Sequence, residues 1–321
     1  MATTIHNPLK SYNQQLLLQF KKAKTSKNPA LYLYTNNART TLFMAQSITR
    51  ILINLNKNPN YEIWHKVYKK LEDTLGEIDF YDTGIKSFSK NKSIKKQQMD
   101  YLIKKKNKVV EKLNKKLVTK EFYISVFEAV ILANELNFND KLIVNEIKKH
   151  IAKEINYIST FFGQFPKSFD NMELQVHELR RKLRWLSIYS QSLTGLIVLK
   201  KVTTKYEWEK QFITNNEKTS IYNNFKVVKN LEDYIYFNHK AFFALSFIIK
   251  KLGEIKDIGL NLSILKKSIK KTTTEKIASI EEMAIKQLKL PINEDDLLND
   301  AHKILTLFIK KYAVPQQLIL K

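Results

Sequence analysis

Only six glycines occur in the 321 residues, against the roughly 7 % of an average protein. This scarcity constrains the fold more than any other feature. Dinucleotide-binding sheets, phosphate loops and β-sandwiches use glycine wherever φ must be positive or the backbone must approach a ligand closely. Those architectures are disfavoured. Around prolines 59, 166 and 291 run long segments with a 3.6-residue apolar period and no useful strand-like alternation. Helices are predicted over 9–22, 31–56, 61–89, 92–117, 121–136, 138–162, 171–200, 206–225, 231–252, 257–271, 274–288 and 295–313. Three start signals support this reading: Asp170 with Glu173, Thr272 with Glu275, and Asn293 ahead of Glu294, Asp295 and Asp296. The fold class is all-α, with antiparallel helices joined by short loops.

A short repeat divides the chain. Leu75-Gly76-Glu77-Ile78 recurs as Leu252-Gly253-Glu254-Ile255, each in a Lys-rich amphipathic stretch with aspartate close behind: Asp79 and Asp82, then Asp257. An arginine-bearing helix precedes each copy. The matched order predicts one domain built from two similar helical bundles, 1–136 and 137–321, related by internal duplication.

Lys and Arg total 55 against 31 Asp and Glu, a net charge of +24. Such a chain attracts polyanions: nucleic acid, anionic lipid headgroups or polymeric phosphate. Lysine, asparagine and isoleucine are abundant throughout, as an AT-rich genome imposes, so a lysine run is equally well a solvated helix face. The thirteen lysines between Lys86 and Lys120, interleaved with apolar residues, form such an amphipathic basic helix. Arginine is more telling. Only Arg39, Arg50, Arg180, Arg181 and Arg184 occur, three of them within five residues. Drift toward lysine spares arginine where planar, bidentate recognition of phosphate or carboxylate is needed.

In the segment 176–186, Val176, Leu179, Leu183 and Leu186 lie along one side of a helix. His177, Arg180, Arg181 and Arg184 form a second stripe at i, i+3, i+4 and i+7. Four cationic or potentially cationic groups in two turns repel one another unless an anion neutralises them. The segment 38–50 is a paler copy. Arg39 and Arg50 share a face opposite Met44, Ile48, Ile51 and Leu55. With Arg39 set against Arg180, Asn36 stands for His177 and Phe43 for Arg184.

His177-Glu178-Leu179-Arg180-Arg181-Lys182-Leu183-Arg184-Trp185-Leu186 resembles the signature of the CHAD family, the conserved histidine α-helical domain. Leu252-Gly253-Glu254-Ile255-Lys256-Asp257 is similar to that family's second recurring element. The resemblance runs from about residue 30 to 271 and marks a divergent member. Trp185 and Ser187 replace basic residues, and the first half lacks the histidine and reads Glu77-Ile78-Asp79-Phe80. It implies two similar helical bundles with a basic groove that binds inorganic polyphosphate. His177, Arg180, Arg184, Lys256 and Asp257 match the motifs directly. Arg181, Arg39, Arg50, Lys250 and Lys251 are further groove candidates, with Asp257 orienting a neighbouring cation. Polyphosphate granules would then be a place where the protein gathers.

Other chemistries find little support. The absence of cysteine removes thiol catalysis, Cys-ligated zinc and disulfides. His177-Glu178-Leu179-Arg180-Arg181 lacks the second ligand of a zinc-binding H-E-x-x-H. The remaining histidines have no metal spacing, although His239-Lys240 opens the second-half helix and could join the groove. Glu207-Trp208-Glu209-Lys210-Gln211 only approaches the E-x-E-x-K strand of the triphosphatases that often accompany CHAD domains. Glu281-Glu282 and Asp295-Asp296 are helix neighbours pointing ~100° apart, so they do not converge on a substrate. The expectation is a non-enzyme with no cofactor and no metal. No stretch reaches the ~18 to 20 apolar residues of a membrane helix, and residues 1–10 lack a signal-peptide core. A soluble, cytoplasmic protein is expected. Nucleic-acid or anionic-membrane-surface binding, an enzyme acting on phosphorylated substrates, and a purely structural bundle are the alternative readings.

Overall fold

Asparagine–proline pairs open three of the helices. The Asn7, Asn28 and Asn58 side chains accept hydrogen bonds from the amides of Lys10, Leu31 and Asn60, while Pro8, Pro29 and Pro59 take the first helical position. A proline there loses no backbone bond and already has the helical φ. The computed structural model describes residues 7–55, 58–119, 121–133, 138, 140–193, 195–225, 231, 233–273, 277–290 and 293–320. The helices are α1 (Pro8–Lys24), α2 (Pro29–Thr35), α3 (Ala38–Leu55), α4 (Pro59–Phe88), α5 (Lys96–Thr119), α6 (Phe122–Leu132) and α7 (Lys141–Gly163). They continue with α8 (Glu178–Ser192), the short α9 (Glu209–Phe212) and α10 (Asn215–Thr219), α11 (His239–Thr272), α12 (Ile277–Leu288) and α13 (Glu294–Leu305). Wider π-helical turns, Met172–His177 and Thr306–Lys311, lead into α8 and out of α13. The class is all-α, as the glycine scarcity and periodicity require.

The differences from the expected helices have local causes. The segment 171–200 leaves the helix at Ser192, and Gly195 takes a positive φ of 87°, a conformation that suits glycine. Beyond it, β1 (Ile197–Lys200) pairs in parallel with β2 (Ile235–Asn238), in register Ile197↔Ile235. β-branched and aromatic residues in both runs favour the pleated form. The 206–225 segment breaks into α9, α10 and a 3₁₀ turn at Ile221–Asn223, the last two opened by the Thr214 and Ser220 side chains. Conversely, the helix expected at 231–252 begins only at His239, because 235–238 forms β2, and from there it runs on through 257–271 as one 34-residue helix, α11. Gly253 interrupts nothing, because its missing side chain leaves room for Arg180.

Of the start signals, Asn293 and Asp296 form the reciprocal capping box. At the first, the cap is Asn171 rather than Asp170. Asn171 Oδ1 accepts from the amides of Glu173 and Leu174, while the Asp170 carboxylate is taken by Gln175 Nε2 at 2.6 Å. Thr272 closes α11 instead of opening α12, its hydroxyl donating to the Ser268 carbonyl at 2.9 Å. Glu275 lies outside the described residues. Lysines 86–116 span the end of α4, a turn and α5 rather than one helix, and Lys120 lies outside the described residues.

One apolar core runs from Leu9 to Leu318 across both proposed halves, with a smaller cluster around Phe88, Leu265 and Ile280. The turn before α8 buries Val176 and α8 buries Leu179, Leu183 and Leu186, all completely, each such side chain stabilising by about 1.5–3 kcal/mol. That anchors its other face. α3 packs on α4, α8 packs on α11, and α3 and α8 pack on each other. Each arginine-bearing helix is thereby set against the helix that carries a Leu-Gly-Glu-Ile segment.

Candidate functional site

Where α3 and α8 meet, their polar faces line a cleft of about 350 Å³ that holds Arg39, Arg50, His177, Arg180, Arg181 and Arg184. Two further clefts adjoin it. One of about 700 Å³ shares Arg39 and His177 and adds Lys256 and Asp257; one of about 510 Å³ shares Arg184 and adds Lys250. Eight of the nine sequence-predicted binding residues therefore line this connected depression. Lys251 lies outside, exposed and 3.5 Å from Glu254.

Glycine makes the two arginine positions possible. A Cβ on Gly253 would stand 3.2 Å from Arg180 Nε and Nη2, and a Cβ on Gly76 would stand 2.8 Å from Arg39 Nη2. Each Leu-Gly-Glu-Ile segment therefore seats the arginine of the helix before it. Arg180 Nε donates to the Ile249 carbonyl at 3.1 Å. Burial holds this guanidinium below its ordinary pKa, opposed by the charge of Asp257. Asp257 itself pairs with Lys256 at 2.7 Å, so it faces a neighbouring cation as expected.

Arg184 is the unusual member. Among the described residues no hydrogen bond or ion pair reaches it. Its guanidinium lies 4.5 Å from the centre of the Phe43 ring. Burial, with the nearby charges of Arg180 and Arg39, pushes it down to about 10. It thus stays charged at neutral pH, at an electrostatic cost. His177 Nδ1 is buried without a partner. Burial keeps His177 below the ordinary histidine pKa; Glu173 opposes this, while Lys256, Arg180 and Arg181 reinforce it. Arg181 sits at the exposed rim, paired with Glu178 at 2.7 Å.

The first-half arginines differ. Arg39 Nε donates to Glu72 at 2.7 Å and Nη1 to Asp79 at 2.8 Å. Arg50 donates to Glu154 at 2.9 Å and to the Tyr189 hydroxyl at 3.0 Å, and it stacks 4.8 Å over Trp185. These carboxylate partners were not legible from residue spacing. Nor was Gln46, a 3 % exposed side chain on the cleft whose Nε2 has no partner. Phe43, set against Arg184 by position in the repeat, meets Arg184 itself.

Other candidates go elsewhere. His239 Nδ1 accepts from the Val202 amide, and Lys240 pairs with Glu209 and the Thr204 carbonyl. Both therefore face the 200–209 segment. Glu209 opens a helix rather than lying in a strand. Among the described residues no group of three His, Asp or Glu is arranged to hold a metal ion, and no helix is long and apolar enough to cross a membrane. Compared with known proteins, the chain matches no family model, no curated protein and no solved structure.

Proposed function

We propose that this protein binds phosphate polyanions, inorganic polyphosphate foremost, in the arginine cleft, and that it does so without turnover. The observation that carries the reading is Arg184. It is a half-buried, charged guanidinium with no hydrogen-bonded or ion-paired anion among the described residues, Glu72 opposing its lowered pKa only from a distance, set beside Arg180 and the unpartnered His177 Nδ1. A charge taken out of water without a partner costs free energy that an incoming anion returns. Guanidinium forks match phosphate oxygens. Arg181, Lys250, Lys251 and Lys256 would add to the field at the rim. The like placement of Arg39 on Gly76 and Arg180 on Gly253 supports the duplication and the likeness to CHAD domains.

The test measures binding of long-chain polyphosphate across several salt concentrations. An Arg180/Arg181/Arg184→Gln variant is compared with one losing Lys104, Lys105 and Lys108 from α5. The expected result is an affinity that falls steeply with salt, as released counterions demand, and is lost selectively in the arginine variant. Equal weak losses in both variants would mean diffuse charge only. Binding of single-stranded nucleic acid as tight as that of polyphosphate would favour the nucleic-acid reading instead.

A further inference from the structure

We propose, resting on the reading above, that the cleft is one-sided: Glu72 and Asp79 act as built-in anions on Arg39, and the ligand is a short run of condensed phosphate held by the second half's cations, with Gln46 the first half's one contribution. Arg39 meets two carboxylates, at 2.7 and 2.8 Å. One positive charge against two negative ones leaves that wall anion-repelling. Both carboxylates are fixed. Glu72 is 7 % exposed, and the single Tyr34 hydroxyl proton is shared between Asp79 at 3.1 Å and Asp82 at 2.9 Å. The neighbouring first-half cations are also occupied. Arg50 has Glu154, Lys69 has Asp73 at 2.6 Å, and His65 is held neutral at pH 7 by its burial.

The donors without anions gather at the other end: Arg184, Arg180 with only a neutral carbonyl, His177 Nδ1, and Gln46 Nε2, which α3 contributes from the opposite wall. The repeat locates the asymmetry in two positions, and at the first of them Ile249, whose carbonyl meets Arg180, stands where the first copy has Glu72. The residue after Leu-Gly-Glu-Ile is Asp79 in the first copy and Lys256 in the second. A chain threading both halves would have to displace Asp79; a short phosphate need not. The shared chemistry is that of an inorganic chain end and of a nucleoside triphosphate tail.

Isothermal titration of the full chain with tripolyphosphate, long-chain polyphosphate and ATP tests this. The expected result is affinities for tripolyphosphate and the long chain within about threefold per binding site, because no contact is added beyond the short run. ATP binding as tight as tripolyphosphate would extend the ligand class to organic phosphates, and rejection of ATP would confine it to inorganic ones; either supports a short footprint. Glu72→Gln/Asp79→Asn frees Arg39 and should raise long-chain affinity about tenfold over tripolyphosphate. Thermal melting checks that this variant folds. If it does not, Asp79→Asn alone, with Glu72 still holding Arg39, reads the same direction. Wild-type preference for the long chain above about thirtyfold, or equal gains for both ligands in the variant, would overturn the one-sided site while leaving polyphosphate binding intact. No binding of any of the three by wild type would overturn the binding reading itself, and the short footprint with it.

Discussion

Replacing Arg184 with methionine should make the free protein more stable and the liganded protein no more stable than the free one. Methionine keeps an unbranched stem that packs on Phe43, 4.5 Å from the present guanidinium carbon. The magnitude follows from the folded-state pKa of Arg184, about 10 against an ordinary 12.5. At ~1.36 kcal/mol per pK unit, the charged form costs the folded state about 3 kcal/mol. A base held below its ordinary value is charged in both folded and unfolded states at pH 7, so the whole cost is present there. It is relieved only as pH rises through about 10. The lost cation–π contact with Phe43 offsets roughly 1 kcal/mol. A net gain of about 2 kcal/mol remains, or about 4 °C in melting temperature for a chain of this size.

The assay is thermal or urea unfolding, with and without tripolyphosphate. Ligand at about 100 times its Kd should stabilise wild type by about 2.7 kcal/mol and leave Arg184→Met unmoved. The two proteins should then exchange rank: the variant melts higher when free, and wild type melts at least as high when liganded. A free-state loss of more than about 1 kcal/mol in the variant would refute the reasoning. It would show that Arg184 holds the fold together and carries no unmet demand for an anion.

Affinity should rise as pH falls below 6.5, because a bound anion favours the protonated form of His177, which burial, Lys256, Arg180 and Arg181 otherwise disfavour. His177→Gln should flatten the profile, and proton uptake on binding, read by titration in buffers of different ionisation enthalpy, checks it. Gly253→Ala should leave stability level or raise it by up to about 1 kcal/mol through helix propensity. It should still weaken phosphate binding, because its Cβ would stand 3.2 Å from the Arg180 guanidinium; unchanged affinity would show that the arginine yields without loss. Burial, aided by Arg50 and Lys69, lowers His65 to about 4. The unfolded chain therefore binds the extra proton, and stability falls as pH drops from 6.5 through 4, by up to about 3 kcal/mol. Urea unfolding of His65→Gln across that range should show a correspondingly shallower slope.

Much of the frame was legible because it is local. The apolar stripe of α8 and the turn before it follows from spacing alone, and all four of its predicted members are fully buried. The retained arginines do converge, since α3 and α8 both expose their polar faces toward the same contact. What spacing could not reveal is which arginines are already neutralised. The carboxylates on Arg39 lie 33 and 40 residues away, and the one on Arg50 lies 104 away. Such partners belong to tertiary structure. The strand pair was missed for a related reason. Ile197–Lys200 is too short to show a period, and it becomes a strand only because Ile235–Asn238 lies alongside.

The two halves use the same arginine-on-glycine contact for opposite ends, and that difference is measurable. Arg39 and Arg180 both rest where a glycine leaves room. Only Arg39 is tied to a buried carboxylate, Glu72, whose side chain is 9 % exposed. Removing one partner of such a pair strands the other charge, at a cost of about 3 kcal/mol or more. Arg39→Met should accordingly destabilise the protein, lowering its melting temperature by about 6 °C, while Arg184→Met raises it. A stabilised Arg39→Met protein would mean that its ion pairs contribute nothing to the fold. The first half would then be as open to an anion as the second.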